Sequence, residues 1–260
     1  MGINFGPELS EKLRQWIEEH PEWKRDSVIE KPSRTPITCD LCQDTGWVRY
    51  DLPIIDPGFG QAHRCICRVE DDRRQSQEAL LRYCQLPQGA IDMTFAAFEV
   101  SGQLKEAYMA ARELRIERKV PFLLTLFGPR GCGKTHLGIA ACHAWMGQGL
   151  PAKYIHIVDM LSDLRAGYAD KRRGYDDRLA LYRNVPLLVM DDFGTQQGTD
   201  WALEQLDTLI DHRYIERLHT VVTTNGVPDD LPERIADRLM DRRFGVCVGI
   251  DADSYRRTSG

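Results

Sequence analysis

Phe122-Leu123-Leu124-Thr125-Leu126-Phe127-Gly128-Pro129-Arg130-Gly131-Cys132-Gly133-Lys134-Thr135 decides the reading of this chain. Its first part is an apolar run, its second completes G-x-x-x-x-G-K-[ST], and His136 to Met146 continues in a helix-like pattern. A buried strand entering a glycine-rich loop that opens a helix is the setting in which this spacing holds a nucleoside triphosphate. Gly128, Gly131 and Gly133 permit backbone conformations closed to other residues and bring amide N–H groups against phosphate oxygens at the positive end of a helix. The expected cradle for ATP is Gly128, Pro129, Arg130, Gly131, Cys132, Gly133, Lys134, Thr135 and His136. Lys134 would reach the β- and γ-phosphates, and the Thr135 hydroxyl would lie on Mg2+.

A second station should supply the acid for that cation. Leu187-Leu188-Val189-Met190 is continuously apolar, as in a parallel strand buried on both faces, and it ends in Asp191-Asp192. Asp191 is expected to hold the metal directly or through water, and Asp192 to orient or deprotonate the attacking water. Further along, Val221-Val222-Thr223-Thr224-Asn225 forms another strand end.

Around these stations the pattern alternates. Helix is expected from Ser101 to about Lys119, strand over Ala152 to Val158, helix over Met160 to Tyr168, and a helix from Asp200 to Leu218 capped by Asp200. Strand follows over Thr220 to Thr224, a short helix over Ile235 to Arg242, and a last strand over Val246 to Ile250. Strands alternating with helices predict an α/β fold with a parallel sheet and right-handed crossovers. The 260 residues, 42% of them hydrophobic, leave room for that domain and a small second one.

The second domain is read from cysteines. Cys39-x-x-Cys42 is followed after 22 residues by Cys65-x-Cys67. Two close thiol pairs can complete a tetrahedral structural Zn2+ site, and His63, two residues before Cys65, could replace one thiolate. Asp44-Thr45-Gly46 suits a knuckle turning into Trp47-Val48-Arg49-Tyr50. Prolines and glycines over residues 31–62 make a poor large core, and Leu9, Leu13, Trp16 and Ile17 place one short amphipathic helix before them. A charged helix over residues 70–84 breaks at Leu86-Pro87-Gln88-Gly89. The boundary is therefore expected there, with a helix and zinc-binding domain over 1–85 and an ATPase domain over 86–260.

A net charge of −5 excludes a dedicated DNA-coating protein and leaves only local basic clusters, Lys171-Arg172-Arg173 and Arg242-Arg243. The N-terminus carries Glu11, Lys12, Glu18 and Glu19 among its apolar residues, so it is no signal peptide, and no apolar stretch is long enough to span a membrane. A cytoplasmic protein with unpaired cysteines is expected.

The strand, phosphate loop, Asp191-Asp192 and Thr224-Asn225 together resemble the core of AAA+ ATPases, in which a polar residue at the third station, Asn225 or Thr224 here, senses the γ-phosphate. Pro232-Glu233-Arg234-Ile235-Ala236-Asp237-Arg238-Leu239, with Asp251-x-Asp253-Ser254-Tyr255-Arg256-Arg257 and the segment Tyr154 to Tyr168, resembles replicative helicase loaders of the DnaC/DnaI type. The resemblance implies an AAA+ sheet without a C-terminal helical lid. It implies Arg238 as the arginine finger reaching a neighbour's ATP, Arg234 as its companion, and Arg256 as a sensor arginine. It also implies a hexameric replicative helicase gripped through the N-terminal domain, single-stranded DNA and self-association through the ATP sites. The alternative within the same core is a transposition helper ATPase of the IstB type acting on duplex DNA. Asp192 departs from the more usual glutamate, which implies weak intrinsic turnover.

Overall fold

The computed structural model describes residues 38–50, 59–117, 120–170, 172–194 and 199–252. The amphipathic helix expected near the N-terminus lies outside them. The chain divides into two compact units, Met1–Arg68 and Val69–Gly260. The division falls inside helix α1 (Ile66–Cys84), ahead of the break expected near residue 85.

In the first unit, β1 (Trp47–Arg49) and β2 (Ala62–Arg64) pair antiparallel, with Val48 opposite His63. The turn before β1 is the knuckle expected from Asp44-Thr45-Gly46. Gln43, Asp44 and Gly46 all have positive φ, and the Asp44 carboxylate accepts from Thr38 N–H at 2.9 Å and Cys39 N–H at 3.0 Å. At Gly46 the positive φ favours glycine, and a Cβ there would displace the Arg68 side chain, whose Cγ would lie 2.8 Å away.

The second unit holds α2 (Lys105–Glu113), β3 (Leu123–Phe127), α3 (Lys134–Gly147), β4 (Ala152–His156), α4 (Ile157–Gly167), α5 (Tyr175–Asn184), β5 (Leu187–Phe193), α6 (Asp200–Ile215), β6 (His219–Thr224), α7 (Glu233–Leu239) and β7 (Gly245–Gly249). The strands make one five-stranded parallel sheet in the order β4-β5-β6-β3-β7. β6 is thus inserted between the loop-bearing β3 and the acid-bearing β5, and Phe127 and Phe193 both lie level with Thr224. No helix follows β7 among the described residues.

Several boundaries differ from expectation for local reasons. α2 stops at Glu113, because Leu114 turns out of helical geometry at ψ 83°. α4 begins at Ile157, directly from an extended His156, and takes over residues expected to finish the strand. The cap of α6 is Thr199, not Asp200: its hydroxyl accepts from Ala202 N–H at 3.3 Å. α5 was not expected at all. It buries only Leu179 and Tyr182 beneath a charged face.

One core cluster gathers Met160, Leu164, Leu188, Met190, Phe193, Leu206, Leu209 and Val222 from α4, β5, α6 and β6. A fully buried Arg213 stitches that side of the sheet. Its guanidinium donates to the carbonyls of Tyr182, Arg183, Val185 and His219 and to Thr220 Oγ1, at 2.6 to 3.0 Å. The charge is buried without a carboxylate because carbonyl oxygens take up its donors.

Candidate nucleotide site and thiol cluster

β3 delivers the chain to Gly128, whose φ of 144° and missing Cβ are both required, since a Cβ there would stand 2.2 Å from the Ile250 carbonyl oxygen. Gly131 and Gly133 also take positive φ, and Gly133 caps α3 without any side-chain hydrogen bond, so the helix opens with its own N–H groups facing the loop. Pro129 and Arg130 are exposed at the crest and Cys132 is buried beneath it. Lys134 is nearly buried, and its ammonium donates to the carbonyls of Gly128 and Pro129, both at 2.8 Å, with Cys132 Sγ at 3.6 Å. Two loop carbonyls and a sulfur thus hold the charge over the cradle.

His136 faces elsewhere. Its Nε2 lies 2.9 Å from the Thr94 carbonyl oxygen, and its ring meets Phe98 edge-on with centroids 5.0 Å apart. Phe98 in turn abuts Gly133, where a Cβ would come within 2.9 Å of the ring. The segment ahead of α2 therefore backs the loop, a contact that no motif announced.

Beside the loop lies Asp191, 4% exposed. Thr135 Oγ1 donates to both of its carboxylate oxygens at 3.0 and 3.1 Å, Thr223 Oγ1 donates to Oδ1 at 2.6 Å, and the Tyr154 phenol donates to Oδ2 at 2.6 Å. Three hydroxyls from three elements converge on one carboxylate. Burial, with Asp191 alongside, pushes the Tyr154 phenol far up, so it stays a donor.

Asp192 sits in a bulge where the β5–β6 register shifts between Met190 and Phe193, and its φ is +58°. Its N–H donates to Thr223 Oγ1 at 3.0 Å. Its carboxylate accepts from Asn225 Nδ2 on one side, and His156 Nε2 lies 3.4 Å away on the other. Asp192 and Asn225, both expected here, are therefore in direct contact, while Thr224 bonds locally to Gly226 N–H at 3.3 Å. Tyr154, His156 and Thr223 were missed. They occupy strand ends that come together only through the lateral order of the sheet.

The two arginines of α7 face α6 of the same chain. Arg238 pairs with Asp211, donates to the Arg234 carbonyl at 2.9 Å and lies over the Tyr214 ring; Arg234 is 3.1 Å from Asp207. Arg256 and Lys171 lie outside the described residues. Arg172 and Arg173 direct their N–H groups to Asp170, and Arg243 is bound to Asp241.

In the first unit the four sulfurs of Cys39, Cys42, Cys65 and Cys67 lie within 4.8 Å of one another, with Cys39–Cys65 at 3.6 Å and Cys42–Cys67 at 3.5 Å. Zn–S bonds of about 2.3 Å put tetrahedral sulfurs about 3.8 Å apart, and disulfides need about 2 Å, so the donor set fits an ion and not two bridges. Burial raises the Cys42 thiol, but the Gly46 backbone and the neighbouring thiols outweigh it and bring it down to about 7. His63 stays outside the cluster, its ring 5.0 Å from that of Tyr50. Among the described residues no helix is long and apolar enough to cross a membrane.

Comparison with known proteins matches residues 68–259 to the family described as IstB-like ATP binding protein. An ATP-binding protein of an insertion sequence of Mycobacterium tuberculosis is 28% identical, over 73% of this chain and 78% of its own length. The replicative helicase loader DnaI of Bacillus subtilis is 21% identical, over 75% of this chain and 68% of its own. The crystal structure of the DnaC helicase loader superposes with a TM-score of 0.55 at 21% identity, covering 63% of this chain and 99% of that one. The chain belongs to the IstB-like ATP-binding family and is an ATPase with the AAA+ sheet.

Proposed function

We propose that this IstB-like ATPase is a loader for a ring-shaped replicative helicase, gripping it through the N-terminal unit and using ATP-linked self-association to place it on single-stranded DNA. The observation that carries this reading is the four-thiol knuckle, which leaves Leu41, Trp47, Tyr50, Phe59 and Ile66 exposed on a very small unit. Large apolar side chains exposed on a small module whose four thiols fit a metal ion serve protein contact better than catalysis.

The phosphate loop holds ATP, with Thr135 and Asp191 as the residues for Mg2+. When bound, the cation neutralises charge on the phosphates. Lys134 leaves the loop carbonyls for the phosphate oxygens, and Asp192, oriented by Asn225, takes the proton of the attacking water. Arg238, with Arg234 beside it, serves a neighbouring protomer's triphosphate. Arg234 is largely solvent-exposed, and such a pair contributes little stability, about 0–1 kcal/mol, so its exchange for a triphosphate costs little, whereas Arg238 must leave a more buried pairing with Asp211.

A second reading is a transposition helper acting on duplex DNA, favoured by the insertion-sequence relative and the family to which the chain belongs. Both are tested by immobilising the zinc-loaded full chain with ATP and offering candidate hexameric helicases and transposases in turn. Capture of a helicase, abolished by Leu41→Asp with Trp47→Asp or by stripping about one zinc per chain, is expected. Capture of a transposase alone, unaffected by those changes, would replace the first reading by the second.

A further inference from the structure

We propose that Tyr154 is a positioning residue for the magnesium carboxylate, setting the affinity of the ATP site for its divalent cation. In register, Tyr154 stands opposite Val189 and His156 opposite Asp191, so Tyr154 reaches Asp191 diagonally, two residues along the neighbouring strand. Tyr154 is buried, and a buried tyrosine hydroxyl needs a hydrogen-bond partner. Here that partner is Asp191 Oδ2, at 2.6 Å.

The three donors are not equivalent. Tyr154 and Thr223 each make one short bond, one to each oxygen, and both lie outside the phosphate loop. Thr135 straddles the two oxygens at longer, nearly equal distances. Tyr154 and Thr223 therefore fix the plane of the carboxylate from the strands beside β5, while Thr135 is the partner free to turn toward a cation. Tyr154 acts through Asp191, to which its hydroxyl is bound. Donors behind a ligating carboxylate typically change metal affinity by about 10- to 100-fold.

The inference rests on reading the loop and Asp191 as an ATP–Mg2+ site. The test titrates the full chain with a fluorescent ATP analogue, once in EDTA and once across a Mg2+ series. Tyr154→Phe is expected to bind as the parent does in EDTA but to need about tenfold more Mg2+ for its metal-dependent gain in affinity. Tyr154→Leu, which also lacks the hydroxyl, is carried in parallel and should show the same shift. An unchanged Mg2+ curve in either folded variant would overturn the role, as would failure of both variants to fold, which would make Tyr154 a core residue. Failure of the underlying site reading looks different, since the parent itself would then bind no analogue.

Discussion

Thr223→Val isolates one hydroxyl that joins both acids of the site. Thr223 is 1% exposed; its Oγ1 donates to Asp191 Oδ1 at 2.6 Å and accepts from Asp192 N–H at 3.0 Å. Valine has the same shape, so the substitution leaves no cavity and removes only these two bonds. A bond to a charged group contributes roughly 1.5–3 kcal/mol, and removing the acceptor of a buried N–H costs roughly 1–3 kcal/mol. The two share one atom and are not strictly additive, so a loss of about 3–5 kcal/mol is expected. Against a domain stability of roughly 5–15 kcal/mol that is readily measured by urea unfolding of the nucleotide-free chain. Thr223→Ser keeps the hydroxyl and deletes a buried methyl, a loss of about 1 kcal/mol. The decisive result is the order of the pair. If Thr223→Ser destabilised as much as Thr223→Val, or if valine cost under about 1 kcal/mol, packing rather than hydrogen bonding would hold the acids in place.

Gly128→Ala forces a Cβ against the Ile250 carbonyl at a positive φ, and a loss of roughly 2–4 kcal/mol together with abolished ATP binding is expected from unfolding curves and analogue titration. Gly147, in open space at the end of α3, is the contrast: Gly147→Ala should stabilise by up to about 1 kcal/mol, and equal effects at the two sites would disprove the close-approach argument. Burial pushes the Lys153 ammonium down to about 8 from 10.5, so between those values the unfolded chain binds more protons and stability should rise with pH. The rise is at most about 3 kcal/mol, and it should be present in the parent and absent from Lys153→Met, so that the two pH–stability curves diverge across this range; a parallel pair of curves would contradict it.

What could be read from sequence was whatever is local along the chain. The phosphate loop, the Asp191-Asp192 strand end and each of the two cysteine pairs lie within a few neighbouring residues, and the alternation of strands and helices followed from periodicity. Lateral order did not. Placing β6 between β3 and β5 is what brings Thr223 onto Asp191 and Asn225 onto Asp192, and placing β4 outside β5 is what brings in Tyr154 and His156. Helix α5 escaped notice because Asp176, Asp177, Arg178 and Arg183 mask its two inward residues, Leu179 and Tyr182. Arg238 illustrates the opposite limit. Its spacing from Arg234 puts both on one helix face, yet only the fold reveals that Asp207 and Asp211, four apart on α6, stand ready to receive them.

Two adjacent carboxylates, Asp191 and Asp192, can serve one site only if the strand that carries them is irregular. Successive residues of a strand point to opposite faces, so two adjacent carboxylates would serve opposite sides of the sheet. The bulge between Met190 and Phe193 resolves this by giving Asp192 a left-handed backbone, one that aspartate tolerates better than most residues but still at about 1–2 kcal/mol. Thr223 offsets that cost by accepting the Asp192 N–H while donating to Asp191. The same hydroxyl thus supports the irregularity and orients the acid next to it, which is why a loss at this position should appear in stability before any nucleotide is added.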